Sequence, residues 1–284
     1  MDRNLLLKAL ADLPLGAVRY FDRVGSTNDE AAAWARQGAP SLALVIAEEQ
    51  TAGRGRSGRS WITVPGASLA FSVILYPTQK NTHILSRLTP LGALAVKDAL
   101  QNTYGLPAQI KWPNDVLIHR RKISGILGEA QWLNDRLDTL ILGIGINIAA
   151  ASVDGLIQSE GEQGFPSTYV EAELGHPIDR IELLHEVMAE LVRWWRKLPS
   201  QEFLRTWESS LAFRGEQVMV LSRLKAGNDG FPVSRQGQPG SAQEGRIIGL
   251  APDGSLKLRT HSGKVVLLQA GEIRVRPVEM AELH

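Results

Sequence analysis

Hydrophobic and polar positions along the chain fall into two textures, the first mixed in period and the second short and β-rich. Segments 42–48 (Leu-Ala-Leu-Val-Ile-Ala-Glu) and 68–75 (Ser-Leu-Ala-Phe-Ser-Val-Ile-Leu) are short apolar runs bounded by Gly and Pro, which predicts buried strands. Leu85, Leu88, Leu91, Ala95 and Ala99 recur at helical intervals and predict a core-facing helix over 83–101. Strand patterns return at 109–118, 122–132 and 138–148. Earlier, a helix is expected to begin near Thr27, with Thr27 and Glu30 as a capping box ahead of Ala31-Ala32-Ala33-Trp34-Ala35. From Asp179, with Glu182 three residues on, the positions Ile181, Leu184, Met188, Leu191, Val192 and Trp195 mark an amphipathic helix. A second helix, 200–211, follows Pro199.

After Phe213 come short β pieces at 216–221, 245–250, 255–260, 264–268 and 271–276, with turns at 251–254 (Ala-Pro-Asp-Gly) and 261–263 (His-Ser-Gly). Such a run predicts a small barrel, with the Gly-, Ser-, Gln- and Pro-rich stretch 225–243 as a long loop within it. The change of texture divides the chain into a larger unit, 1–212, and a smaller one, 213–284.

Composition narrows the chemistry. With no cysteine, the chain has no disulfide, thiolate metal site or thiol nucleophile. Its six histidines lack metal-ligand spacing. A formal net charge of +1 gives no whole-protein attraction for nucleic acid, so any cationic feature must be local. The N-terminus lacks the charged flank, apolar run and cleavage site of a signal peptide, and no stretch of about 20 apolar residues could span a bilayer. The expectation is a cytoplasmic protein without a membrane partner.

The local feature is Gln50-Thr51-Ala52-Gly53-Arg54-Gly55-Arg56-Ser57-Gly58-Arg59-Ser60-Trp61, with three guanidinium groups and three glycines within seven residues and an indole at its end. Glycine weakens regular structure and clustered arginines repel, so the free segment is expected to be slack until an anion orders it. Arginine forks match phosphate oxygens, and glycines expose N–H groups to a ligand that comes close. The alternative is an Arg/Gly-rich loop touching single-stranded nucleic acid. No Lys-Ser or Lys-Thr closes the segment as a nucleotide-binding phosphate loop would require.

Lys111-Trp112-Pro113-Asn114-Asp115 reads as a strand end entering a turn, because proline restricts Trp112 to extended backbone. With His119-Arg120-Arg121 as a hairpin turn, Asp115 and Lys122 come near each other across it. A carboxylate there suits Mg²⁺ carried with phosphates, and a lysine suits charge building on an α-phosphate. Each also has a plain reading, as a turn cap and as an exposed strand lysine. In Leu142-Gly143-Ile144-Gly145-Ile146-Asn147-Ile148 the period of two places Gly143, Gly145 and Asn147 on one bare face. Glycine in a strand marks close approach by a ligand or another segment, and Gly125 fits the same pattern. Tight packing against a helix is the alternative. Ser26, Thr27 and Asn28, at a helix start, either cap it or bind a polar, neutral head group such as a cyclic urea.

Taken together, Gly-Arg-Gly-Arg-x-Gly-Arg-x-Trp, Lys-Trp-Pro-Asn-Asp, Lys-x-x-Gly-Ile-Leu and Gly-Ile-Gly-x-Asn, in this order, resemble the biotin protein ligase family over roughly residues 20–276. The resemblance implies an α/β (α+β) fold: a mixed sheet flanked by helices, similar to class II aminoacyl-tRNA synthetases, and an SH3-like barrel at the C-terminus. It implies biotin and ATP as substrates with Mg²⁺, a biotin carboxyl carrier protein as acceptor, and room for a homodimer. By position it implies biotin contacts from Ser26, Thr27, Asn28, Gln50, Arg54, Gly55, Arg56, Trp61, Lys122 and Gly125. ATP contacts would come from Arg54, Arg56, Arg59, Lys111, Asn114, Lys122 and Asn147. Catalysis would fall to Lys122, Arg54 and Asp115, with Asp115 as magnesium ligand. The 25 residues ahead of Ser26 are too few for a helix-turn-helix domain, so DNA binding is not expected. A lipoate or octanoate ligase of the same fold and a biotin sensor without activity are the rival readings.

Overall fold

The computed structural model describes residues 1–77, 83–154, 166–222, 242–269 and 273–277. Its elements in chain order are α1 (Arg3–Ala9), β1 (Val18–Val24), α2 (Thr27–Arg36), β2 (Ala43–Gln50), β3 (Ser68–Leu75), α3 (His83–Tyr104), β4 (Ala108–Lys111), β5 (Asp115–Ile118), β6 (Arg121–Leu133) and β7 (Arg136–Asn147). They continue with α4 (Ala151–Asp154), α5 (Val170–Leu174), α6 (Arg180–Lys197), α7 (Gln201–Ser209), β8 (Gln217–Ser222), β9 (Ala242–Leu250), β10 (Leu256–Arg259), β11 (Val265–Leu268) and β12 (Ile273–Pro277).

Seven strands form one sheet in the order β1-β2-β3-β7-β6-β5-β4. Only the β1–β2 pair is parallel, so the sheet is mixed as expected. Its two faces are sorted by the strand period of two. On one face Leu44, Ile46, Leu69, Phe71, Leu140, Leu142, Ile144 and Ile146 pack under α3, α6 and α7 in the main core. On the other, Ala43, Val45, Ile74 and Ile141 meet Ala31 and Trp34 of α2. Full burial of a large apolar side chain is worth roughly 1.5–3 kcal/mol, and with eight buried residues β3 anchors the sheet centre. Trp194 of α6 meets Phe203 of α7 edge-on at 5.8 Å, and within α7 Phe203 lies tilted against Trp207 at 6.5 Å.

Several sequence readings shift by a few residues. The helix over 83–101 runs to Tyr104, with Pro90 inside its first turns, and the one read over 200–211 is the shorter α7, capped by the Ser200 hydroxyl. Asp179 caps α6, accepting from the Ile181 N–H at 2.7 Å. The capping box at Thr27 does not form: Ser26 is the N-cap, without a side-chain cap bond, and Thr27 already lies inside the helix. Its hydroxyl and N–H instead reach Gln50.

The small unit is a five-stranded sheet, β11-β10-β9-β8-β12, antiparallel throughout. The loop read at 225–243 lies outside the described residues except for its last two. Helix α1, strand β1 and the short α4 and α5 have no counterpart in the sequence reading, because their apolar positions are too few to show a period.

Candidate functional site

The face of the sheet that carries α2 also carries the bare positions. Gly143, Gly145 and Asn147 of β7 point there, as do Ser72 of β3 and Gly125 and Glu129 of β6, since the face opposite is filled by their apolar neighbours. Helix α2 covers one end of this bare strip and the Gln50–Trp61 segment closes over the other. The pocket between them spans roughly 770 Å³ when the open solvent at its mouth is counted.

One end is polar and neutral. Ser26, Thr27 and Asn28 are all buried. Gln50 Oε1 accepts from the Thr27 N–H at 2.8 Å and lies 3.1 Å from its hydroxyl. The Ser72 hydroxyl sits 2.8 Å from Thr27 Oγ1 and 2.6 Å from Asn28 Oδ1. Asn28 Nδ2 donates to Glu129 at 2.7 Å, which fixes the amide orientation. A Cβ at Gly143 would lie 2.3 Å from Asn28 Oδ1, so only glycine admits the amide at this depth.

The middle is a slot filled by Trp61. Its indole lies on Gly125 and Gly145, where added Cβ atoms would come within 2.9 and 2.1 Å of the ring. Lys122 Nζ stands 5.6 Å from the ring centroid. The indole Nε1 is buried without a hydrogen-bond partner, and so is Asn147 Oδ1, whose Nδ2 donates to Thr168 O at 3.1 Å. Leaving a buried polar atom unpaired costs on the order of 1–3 kcal/mol, so both mark places where a ligand group would be welcome.

The far end is cationic. Lys122 lines the pocket, and its Nζ is 3.1 Å from Asp115 Oδ1. Behind it Lys111 Nζ is 3.6 Å from Asp115 Oδ2. Burial lowers Lys111 to about 8 against the pull of Asp115, with Lys122 and Arg59 adding to the drop. Burial alone would raise Asp115, but Lys122, Lys111 and Arg59 outweigh it and hold the carboxyl at about 2. Asp115 is thus a fixed anion holding two ammonium groups in place. Arg56 Nη1 donates to Asn114 Oδ1 at 2.9 Å, and Asn114 Nδ2 donates to Ile126 O at 3.1 Å.

Every site residue read from the sequence except Lys111 and Asp115 lines this one pocket. Those two lie a layer behind Lys122. The two oxygens of Asp115 face the Lys122 and Lys111 ammonium groups. The arginine segment also departs from expectation, being folded rather than slack. Gly55 N donates to Arg59 O at 2.6 Å, Trp61 N to Gly53 O at 2.9 Å, and Arg54 bridges to Ser60. The repulsion that argued for slackness is relieved because Arg54 is paired, with Asp29 at 2.6 Å and Glu129 at 3.1 Å. These bonds, led by the one to Asp29, raise its pKa. Arg54 therefore sits at the rim as a clasp between the segment, α2 and β6.

Ser72, Glu129 and Asp29 were missed in the sequence. The first two carried a signal: a serine inside the apolar run 68–75, and a glutamate in step with Gly125 on a strand of period two.

A mixed sheet with a segment closed over a pocket on one face places the chain among α/β proteins that bind a small molecule against a sheet. More narrowly, the chain belongs to the biotin/lipoate A/B protein ligase family, whose model matches residues 20–147. A biotin–[acetyl-CoA-carboxylase] ligase of Paracoccus denitrificans is 33% identical over 250 residues, which is 86% of this chain and 95% of that protein. A bifunctional ligase/repressor of Bacillus subtilis is 31% identical over 86% of this chain and 70% of its own length. Among solved structures, a biotin protein ligase from Aquifex aeolicus in complex with biotin and ATP is 28% identical, with a TM-score of 0.72 over 92% of this chain and 99% of that one.

Proposed function

We propose that this chain is a biotin protein ligase, which activates biotin with ATP to biotinyl-5'-AMP and transfers the biotin to a lysine of a biotin carboxyl carrier protein of acetyl-CoA carboxylase. The observation that carries the reading is one pocket with a neutral hydrogen-bonding end, a glycine-floored middle on which the Trp61 indole rests and a cationic end at Lys122. With the indole lifted off its glycine floor, that sequence of surfaces matches a ureido ring, an aliphatic chain and an acyl phosphate in a row.

In the first half-reaction a carboxylate oxygen of biotin attacks the α-phosphorus of ATP, the new O–P bond forms and pyrophosphate leaves. In the second the acceptor amine attacks the acyl carbon, the C–O bond to AMP breaks and the amine loses a proton. Alignment and charge neutralisation carry most of the first step, so no nucleophilic side chain is needed. Thr27, Asn28, Gln50 and Ser26 hold the ring, and Lys122, Arg56 and Arg59 face the phosphate. Arg54, Gly55 and Trp61 close the cover that keeps water out. Asn147 Oδ1, unpaired and buried, accepts from an amino group of the base. Lys111 and Asp115 hold this end in shape from behind, and Asn114 lines it and holds Arg56. Asp115 would be the carboxylate available to the magnesium that ATP brings, and no step is routed through the ion.

The same reading makes 1–212 the catalytic unit and the sheet within 213–284 an SH3-like barrel, which the antiparallel order of five short strands supports. No helix among the described residues is long and apolar enough to cross a membrane.

The test is incubation with ATP, Mg²⁺, biotin and a biotin carrier domain, followed by mass measurement of the carrier. A gain of one biotin is expected. Pyrophosphate exchange driven by lipoate or octanoate and not by biotin would move the chain to the other branch of its family, and biotin binding without labelling would make it a sensor.

A further inference from the structure

One turn of the small sheet packs closely against the large unit. Residues 251–254 close tightly on themselves, with Gly254 N donating to Ala251 O at 2.9 Å and Ser255 N to Asp253 Oδ1 at 3.0 Å. Carbonyls of a surface turn ordinarily face water. Here three in a row are taken by the large unit: Arg87 Nη2 donates to Pro252 O at 3.3 Å, Ser86 Oγ to Asp253 O at 2.6 Å, and Trp112 Nε1 to Gly254 O at 3.1 Å. Gly254 has φ +87, and a Cβ there would lie 2.8 Å from the Trp207 ring, so only glycine lets the turn seat this deeply.

Trp112 is buried, and it is the residue between Lys111 and the Pro113-Asn114-Asp115 turn. From α3, Thr89 Oγ1 donates to Pro113 O at 3.3 Å, and from β6, Ile126 N donates to Asn114 O at 3.0 Å. The indole bond to Gly254 is a third fixed point, coming from the other sheet. Lys111 and Asp115 are cross-strand partners at the base of this turn, and Asp115 in turn holds Lys122.

We propose that the 251–254 turn is a strut from the small sheet, and that Trp112 is the positioning residue through which it sets Lys111, Asp115 and so Lys122 at the phosphate end of the pocket. The proposal rests on the functional reading above for which substrate lies at that end. An error near 1 Å in such groups is enough to slow phosphoryl chemistry severely, while the ring-binding end, built on α2, β2 and β3, is independent of the strut.

Trp112→Phe keeps an apolar ring and deletes the N–H donor, and Gly254→Ala moves the acceptor without touching Trp112. For each variant, calorimetric titrations with MgATP and with biotin are compared with biotin-dependent ATP–pyrophosphate exchange. The strut predicts that kcat/KM for ATP falls about tenfold, the size expected for an unpaired buried carbonyl, while biotin affinity stays within about twofold. Gly254→Ala carries the test if Trp112→Phe does not fold. Equal losses of biotin and ATP affinity would reduce Trp112 to a packing residue and overturn the proposal, as would unchanged ATP parameters in either folded variant. A wild-type chain without biotin-dependent exchange would instead count against the functional reading, and the MgATP titrations would still decide the strut.

Discussion

Replacing Gly145 with alanine tests the slot directly, because the perturbation is one methyl group at a place where the structure leaves no room. The new Cβ would lie 2.1 Å from Trp61 Cε2, whereas ordinary contact begins at 3.4 Å, so the indole must retreat by about 1.3 Å. Overpacking of this kind costs typically about 1–3 kcal/mol, and at about 1.4 kcal/mol per decade the closed position of Trp61 loses roughly 5- to 150-fold in population. Backbone strain does not enter, since Gly145 lies within β7 without a positive φ. The expected result is faster escape of biotinyl-5'-AMP, because the indole is displaced from its glycine floor, read by trapping the released adenylate after rapid dilution. A double-mutant cycle with Trp61→Ala isolates the cause: once the indole is gone the methyl has nothing to strike, so Gly145→Ala should add little to the double variant. Adenylate retention equal to wild type in Gly145→Ala, or losses that simply add in the double variant, would refute the covering role of Trp61.

Lys122→Ala is expected to lower the exchange rate by about a hundredfold or more, with biotin affinity within a few-fold, since the ammonium faces charge that develops in the transition state; equal losses in the two measurements would remove that role. Arg56→Gly breaks the bond to Asn114 Oδ1 and should let the adenylate leave and acylate surrounding amines, which mass spectrometry of a bystander protein detects. For pH, burial lowers Lys111 to about 8, so ATP affinity should fall as pH rises through about 8 and stay level in Lys111→Arg. The stability sign is the reverse: between about 8 and the usual 10.5 the unfolded chain binds the extra proton, so the cost of the buried ammonium fades as pH rises and thermal melts should show it.

The parts of this architecture legible in the sequence are those with a period or a costly composition. A continuous apolar run exposed β3, and the period of two in β7 put Gly143, Gly145 and Asn147 on one face, because glycine in a strand core is unfavourable unless something must come close. The arginine cluster was legible as a ligand cover for the same kind of reason, though its folded state was not. What holds it, Asp29 and Glu129, lies 25 and 75 residues away from Arg54 in the chain, and nothing local encodes that pairing. Thr27 was misread as a cap because a threonine ahead of a helical run with a glutamate three on satisfies the capping pattern. The hydroxyl goes to Gln50 instead, a tertiary partner that outcompetes the local one. The burial of Lys111 and Asp115 behind Lys122 was equally hidden, since their spacing shows that they meet and not which of them faces the pocket.

The distribution of charge along the pocket favours one orientation of a substrate over the other. At the ring end the acidic groups Asp29 and Glu129 are engaged by Arg54 and Asn28, and the rest of the wall is hydroxyl and amide. A carboxylate or phosphate placed there would meet two carboxylates at close range, while a neutral ureido group finds both donors and acceptors. At the other end Lys122, Lys111 and Arg59 converge on Asp115, and a carboxyl held at about 2 stays ionised at any pH at which the chain works. Its role there is to keep two ammonium groups close together without mutual repulsion driving them apart, which is what an incoming anion requires. Reversing that role with Asp115→Lys should therefore abolish exchange, yet Asp115→Asn should be the sharper experiment. It keeps the shape and removes only the charge, so Lys111 should lose its proton at a pH well below 8, and exchange should fail in the alkaline range first. A variant with an unshifted pH profile would show that the carboxylate does not hold the lysines charged.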